Sequence, residues 1–171
     1  DGELSVDLAR FIELFHQWII DDAPGEMLID VADYRHVPAG PGVMLIGLDS
    51  DYSLDQSGGQ DGLLYNRKAP LQGTNADRLA HSLRAAAKAC VLAEAALQGL
   101  RFSRTRLQVF INDRALAPNT PEMRQTFEAE LSAFLRDILG ETDFTLNCTE
   151  DPRQRLGAVV SLKNALDWER L

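Results

Sequence analysis

The sequence predicts an α+β fold, a two-layer sandwich in which three helices cover one face of a mixed, mostly antiparallel sheet of about six strands. Three observations carry that prediction. Short runs of alternating or continuous apolar residues are bounded by Gly and Pro, as strands are; three longer stretches repeat apolar residues at three-and-four spacing, as helices do. Their order (helix, three strands, helix, strand, helix, two strands) contains hairpins rather than a βαβ repeat, and ferredoxin-like pairing is one topology it allows. At 171 residues the chain is read as one domain spanning 1–171, long enough to bury a core.

Leu4, Leu8, Phe11, Ile12, Phe15 and Ile19 form one helical stripe, with Trp18 at its edge and "APG" at 23–25 ending the helix. "EMLIDVADY" at 26–34 and "GVMLIGLDSDYSLD" at 42–55 are too short, and too closely flanked by Gly and Pro, to be helices, so both are expected to be strands. "QSGGQDG" is a turn and "LLYNRKA" the returning arm of a hairpin. A second helix runs from an N-cap at Thr74 or Asn75 to a stop at Gly99, with Leu79, Leu83, Ala86, Cys90 and Leu97 in line. "RLQVFIN" at 106–112 alternates as a half-buried strand. Thr120 caps a third helix with Pro121 in its first turn; Met123, Phe127, Leu131, Phe134 and Ile138 point inward and Gly140 closes it. "FTLNC" at 144–148 and "LGAVVSL" at 156–162 complete the strands.

Composition narrows the function classes. A net charge of −9 argues against nucleic acid and anionic membrane surfaces as partners, because both are bound largely through Lys and Arg. No apolar run reaches the roughly 20 residues that span a bilayer, and no basic, then apolar leader is visible, although a chain starting at Asp1 is compatible with trimming. Two cysteines far apart, in no paired motif, favour a reducing, cytoplasmic setting. The charge is segregated: residues 21–61 hold nine acids against Arg35 alone, whereas residues 62–114 hold nine bases against Asp77, Glu94 and Asp113. These segments could neutralise each other within one molecule or pair between subunits.

The aspartates of "DSDYSLD" invite a metal reading. Asp49, Asp51, Ser53 and Asp55 fall at alternate positions, as in the first half of a calcium loop. The glycine that loop needs at its sixth position and the glutamate at its twelfth are here Leu54 and Gln60, and no helix precedes them. A structural divalent-cation site at Asp49, Asp51 and Asp55 is therefore the minor expectation. As a single strand, the run would place those aspartates together on one wet face, with Asp51 opposite Arg67 if the next turn centres near Gly59.

The other reactive concentration is "DVADYRHVPAGPG". A small hydrolase or transferase acting on an anionic substrate would use the strand-end loop from Asp33 to Gly42. There His36 would serve as acid or base, Asp33 would orient it, and Arg35 would hold the anion. Asp33 and His36 cannot share a metal with the aspartates if the strands form a hairpin around residue 39, since the separation along the sheet is roughly 13 to 20 Å. His81, opposite its helix's stripe, is expected to be solvated, and Cys90 and Cys148 to be small buried hydrophobes. No GxSxG, HExxH or glycine-rich phosphate loop is present, and no cofactor is expected. The leading expectation is accordingly a soluble binding, assembly or accessory module that joins a protein partner or forms a homo-oligomer. The C-terminal "ALDWERL" would dock on a neighbour or on its own domain.

Overall fold

The structure, a computed structural model, describes residues 7–38, 40–55, 61–137, 140, 143–168 and 171. Its elements are α1 (Ala9–Asp21), β1 (Leu28–Tyr34), β2 (Gly42–Gly47), β3 (Ser50–Asp55), β4 (Gly62–Arg67), α2 (Asn75–Ala96), β5 (Arg106–Phe110), α3 (Pro121–Asp137), β6 (Phe144–Cys148) and β7 (Gly157–Leu162). The class is α+β with three helices, as the sequence predicts. Among the described residues the strands number seven and lie in two antiparallel sheets, β1-β2-β3-β4 and β5-β7-β6, rather than in one sheet of six.

The extra strand comes from one misread run. "GVMLIGLDSDYSLD" folds back on itself, with Val43 paired to Leu54, Leu45 to Tyr52 and Ile46 to Asp51 around Leu48 and Asp49. Gly47 makes that tight reversal possible: a Cβ there would meet the Ser50 carbonyl oxygen at 2.6 Å and that of Met27 at 2.9 Å. The fold-back reassigns the faces. Val43 and Leu45 of β2 point inward with Tyr52 and Leu54 of β3, all four essentially inaccessible, whereas Met44 and Ile46 are only half-buried.

The chain divides into two compact units, 1–72 with 81–102 and 168–171, and 73–80 with 103–167. In the first, α1 lies along β1 and β2. Phe11, Leu14, Phe15 and Trp18 of α1 meet Val43, Leu45, Tyr52, Leu54 and Tyr65 of the sheet and Ala89, Ala93, Leu97 and Leu100 from α2 and beyond. Small alanines let α2 approach closely. Trp18 thus belongs to the centre of the α1 stripe, its ring 6.3 Å from that of Tyr52. The helix ends where Asp22 turns left-handed at φ 50°, and the Ala23 N–H donates to the Trp18 carbonyl. In the second unit α3 packs on β6 and β7 with Phe127, Leu131, Phe134 and Leu135 buried, and Leu156, Ala158, Val160 and Leu162 answer from the β7 side. Leu166 and Trp168 of the C-terminal stretch are both buried.

The expected caps are present. The Asp77 N–H donates to the Thr74 hydroxyl while the Asp77 carboxylate accepts from both the N–H and the hydroxyl of Thr74, a reciprocal box at the start of α2. The Met123 N–H donates to the Thr120 hydroxyl at the start of α3. Leu4, Ile138 and the turn expected near Gly59 lie outside the described residues.

Phe15 is fully buried in the aromatic part of the first core, so Phe15→Ala is expected to cost about 3–5 kcal/mol in urea unfolding. Ile20→Ala, on the same helix but 75% exposed, is expected to stay within about 0.5 kcal/mol of the parent.

Candidate functional site

The sequence-predicted residues separate into two groups that the fold treats differently. At the end of β1, Arg35 turns its guanidinium onto Asp33 in a two-pronged pair, with Nε to Oδ1 at 2.8 Å and Nη2 to Oδ2 at 2.7 Å. The Arg35 backbone N–H adds a third bond to Oδ1. Asp33 and Arg35 are therefore brought together, on each other; both side chains are well exposed, and His36 is exposed beyond them. The hydrogen bonds from the Arg35 side chain, and then from its backbone, hold the Asp33 carboxyl at about 2, below the ordinary 3.8. The same pair raises the Arg35 value.

The three aspartates do not share a face. Asp49 sits in the β2–β3 turn, where its carboxylate accepts from Arg67 at 3.3 Å and its carbonyl accepts from the N–H groups of Lys68 and Ala69. Asp51 is buried on β3 and takes the Lys68 ammonium at 2.7 Å, which also reaches the Gly47 carbonyl at 2.8 Å. Asp55 stands at the far end of β3, opposite Gly62. Among the described residues no group of three or more His, Cys, Asp or Glu side chains is placed to hold a metal ion. Arg67 faces Ser50, not Asp51, because the β3–β4 register is one residue away from a turn centred on Gly59; it then reaches Asp49 instead.

That register builds a cluster that no motif announces. On the inward face of the sheet, Leu54, Tyr52 and Ser50 run along β3 beside Leu63, Tyr65 and Arg67 of β4, so the face changes from apolar to polar toward one end. Glu26, just before β1, closes that end. Its carboxylate accepts from the Ser50 hydroxyl, from Tyr52 at 3.3 Å and from Tyr65 at 3.0 Å. The Tyr65 oxygen lies 3.0 Å from His81 Nε2 on α2, and that nitrogen is 3.8 Å from Glu26. A carboxylate only accepts, so the single Tyr65 proton is engaged with Glu26 and His81 Nε2 must be a donor; the tautomer follows from the network. His81 is thus part of a hydrogen-bonded chain, His81 to Tyr65 to Glu26, rather than a solvated face residue. Burial, and then the Glu26 charge, push the Tyr52 phenol well above its ordinary value, and burial likewise raises Tyr65.

The signal for this cluster was faint in sequence because its members come from four separate stretches. Only Ser50, polar in an otherwise apolar row, pointed to it. Comparison with known proteins finds no matching family model, no similar curated protein and no similar solved structure.

Two outcomes follow. Arg35→Gln should let Asp33 titrate near its ordinary value, read by carboxyl chemical shifts. Because the folded value is depressed, the pair's contribution is present above the unfolded value and disappears as pH falls toward 2, so the variant should show less loss of stability across that window. Glu26→Leu leaves three buried hydroxyls without their acceptor and is expected to cost about 3 kcal/mol in chemical unfolding, with Glu26→Gln costing less.

Proposed function

We propose that the protein works by binding, with β1 accepting an extended, basic segment of a partner protein along its open edge. The observation that carries this reading is the character of β1 itself. It is an outer strand of its sheet, and exposed apolar side chains fringe it: Met27 at 68% and Ile29 at 57%, then Tyr34 and Val37, with Leu48 of the adjoining turn bonded through its N–H to the Met27 carbonyl. An outer strand offers backbone donors and acceptors to an incoming chain, and alternating apolar contacts supply the affinity.

The choice of occupant rests on charge. β1 lies within the segment whose nine acids face one arginine, and Asp30 and Asp33 both project from it. A two-fold pairing of β1 with a second copy would set two acidic strands side by side, which is unfavourable, whereas lysine or arginine on an incoming strand would complement the Asp30 carboxylate. The bulge at Ile29 and the Asp30 carboxylate, which accepts from the Val31 N–H, limit indiscriminate pairing. Among the described residues no helix is long and apolar enough to cross a membrane. Cysteines that form no disulfide support a cytoplasmic setting.

The His81 to Tyr65 to Glu26 chain favours a second reading, acid–base chemistry on a small substrate. In it His81 Nδ1 takes the proton-transfer role, since Nε2 already carries a proton, and Arg35, engaged with Asp33, is not the anion holder.

A synthetic peptide alternating Val and Lys is expected to bind, to slow amide hydrogen exchange in β1, and to lose about tenfold or more in affinity against Ile29→Asp. Unchanged exchange in β1 with saturating peptide would sink the edge-strand reading. A dimer in sedimentation that Ile29→Asp dissolves would redirect it to a second copy. Under the second reading, any activity discovered should fall with His81→Gln and survive His36→Ala.

A further inference from the structure

The second unit carries a feature unrelated to β1. On the sheet face opposite α3, the ends of β5 and β7 and the loop between β6 and β7 enclose an open cleft of about 340 Å³. Its lining includes Arg114, Arg153, Arg155, Gln108, Phe110 and Gly157. Three guanidiniums around one cleft invert the sign of a chain whose net charge is −9. The Asp151 carboxylate is bound by Arg153 at 3.1 and 3.2 Å.

Arg155 is held rather than loosely displayed. The Arg155 guanidinium carbon lies 3.8 Å from the centre of the Phe110 ring, and its Nη1 donates to the Asn112 side chain at 2.8 Å. Stacking and one hydrogen bond fix the plane of that fork. Arg114 donates to the Pro152 carbonyl at 3.4 Å. The loop bearing Arg153 and Arg155 is clamped from beneath by Asn119, which is 4% exposed and donates from Nδ2 to the carbonyls of Thr149 at 2.9 Å and Asp151 at 3.0 Å. Arg124 adds a bond to the Glu150 carbonyl at 3.0 Å. At the floor Gly157 pairs with Phe110, and a Cβ there would meet the Val109 carbonyl oxygen at 2.7 Å, so glycine is what lets β7 close on β5.

We propose that this cleft binds a small molecule carrying two or more oxyanion groups, phosphate or carboxylate, through Arg114 and Arg155, with Arg153 engaged on Asp151 beside them. Planar guanidinium forks match both kinds of oxyanion, and a cleft at the lower end of the ligand-pocket range admits a metabolite but not a folded partner. The fixed placement of Arg155 lowers the ordering cost that a surface arginine ordinarily imposes on binding.

The test is a nitrogen-15 NMR titration of the full chain with pyrophosphate, with citrate, and with acetate as a single-charge control. Saturable shifts confined to residues 108–114 and 149–157 are expected with pyrophosphate or citrate, weakening as salt is added. Whichever of the two binds more tightly assigns the site to phosphate or to carboxylate. The Arg114→Gln, Arg155→Gln double variant should retain its other resonances and bind about tenfold or more weakly, whereas Lys163→Gln should bind like the parent. Shifts spread evenly over the protein's basic residues, acetate binding as well as pyrophosphate, or undiminished binding by the folded double variant would each overturn the proposal.

Discussion

The two-residue reversal between Gly47 and Ser50 decides the arrangement of the first unit. Strand side chains alternate with a period of two, so the place where the chain turns determines which residues of β2 and β3 share a face. With the turn at Leu48 and Asp49, Val43 and Leu45 join Tyr52 and Leu54 against the aromatic stripe of α1. Moving it by one residue would send Asp51 into that core and Tyr52 out of it. The backbone enforces the choice: only glycine at 47 tolerates the carbonyl oxygens of Ser50 and Met27, and the Asp49 carbonyl is tied to the backbone after β4.

The electrostatic pattern follows from that turn. Asp49 and Asp51 end on different sides of the reversal, so each acquires its own cation, Arg67 and Lys68, instead of a shared ion. Ser50 and Tyr52 are turned inward beside Tyr65, giving the Glu26 carboxylate three hydroxyl donors at the one polar end of an apolar face. A partly buried carboxylate is tolerated only when its lone pairs are met, and here the strands and α2 supply the partners together. The cluster therefore joins the sheet to α2 through hydrogen bonds where apolar packing gives out, and it leaves the His81 ring, about a third exposed, as its contact with solvent.

Polar groups that are satisfied from within and side chains that stay exposed lie in different parts of the molecule. Asp33 and Arg35 satisfy each other, and Glu26 is satisfied from within. The apolar fringe of β1 in the first unit is exposed, and the cleft in the second is lined by three arginines. Their charges are opposite, acidic around β1 and basic around the cleft. The acidic segment thus corresponds in part to the surface around β1 and in part to local pairs such as Asp49 with Arg67, whereas the cleft takes only Arg114 from the basic segment.

Local chemistry was legible in the sequence. Thr74 with Asp77, and Thr120 ahead of Pro121, marked the helix starts through hydrogen bonds made within a few residues, and Gly99 and Gly140 marked their ends with positive φ. The apolar periods of α1, α3, β5, β6 and β7 identified those elements because each must bury one stripe or face. What the sequence left open was non-local. A fourteen-residue run without an Asn-Gly or Asp-Gly pair gave no conventional hairpin signal, although it exceeds the usual strand of about five or six residues. Register, the division of seven strands between two sheets, and the meeting of Glu26, Ser50, Tyr52, Tyr65 and His81 depend on contacts between segments distant along the chain. Spacing within any one segment does not encode them; the tertiary structure decided them through the close backbone approach at Gly47 and the need to satisfy a carboxylate at the edge of the core.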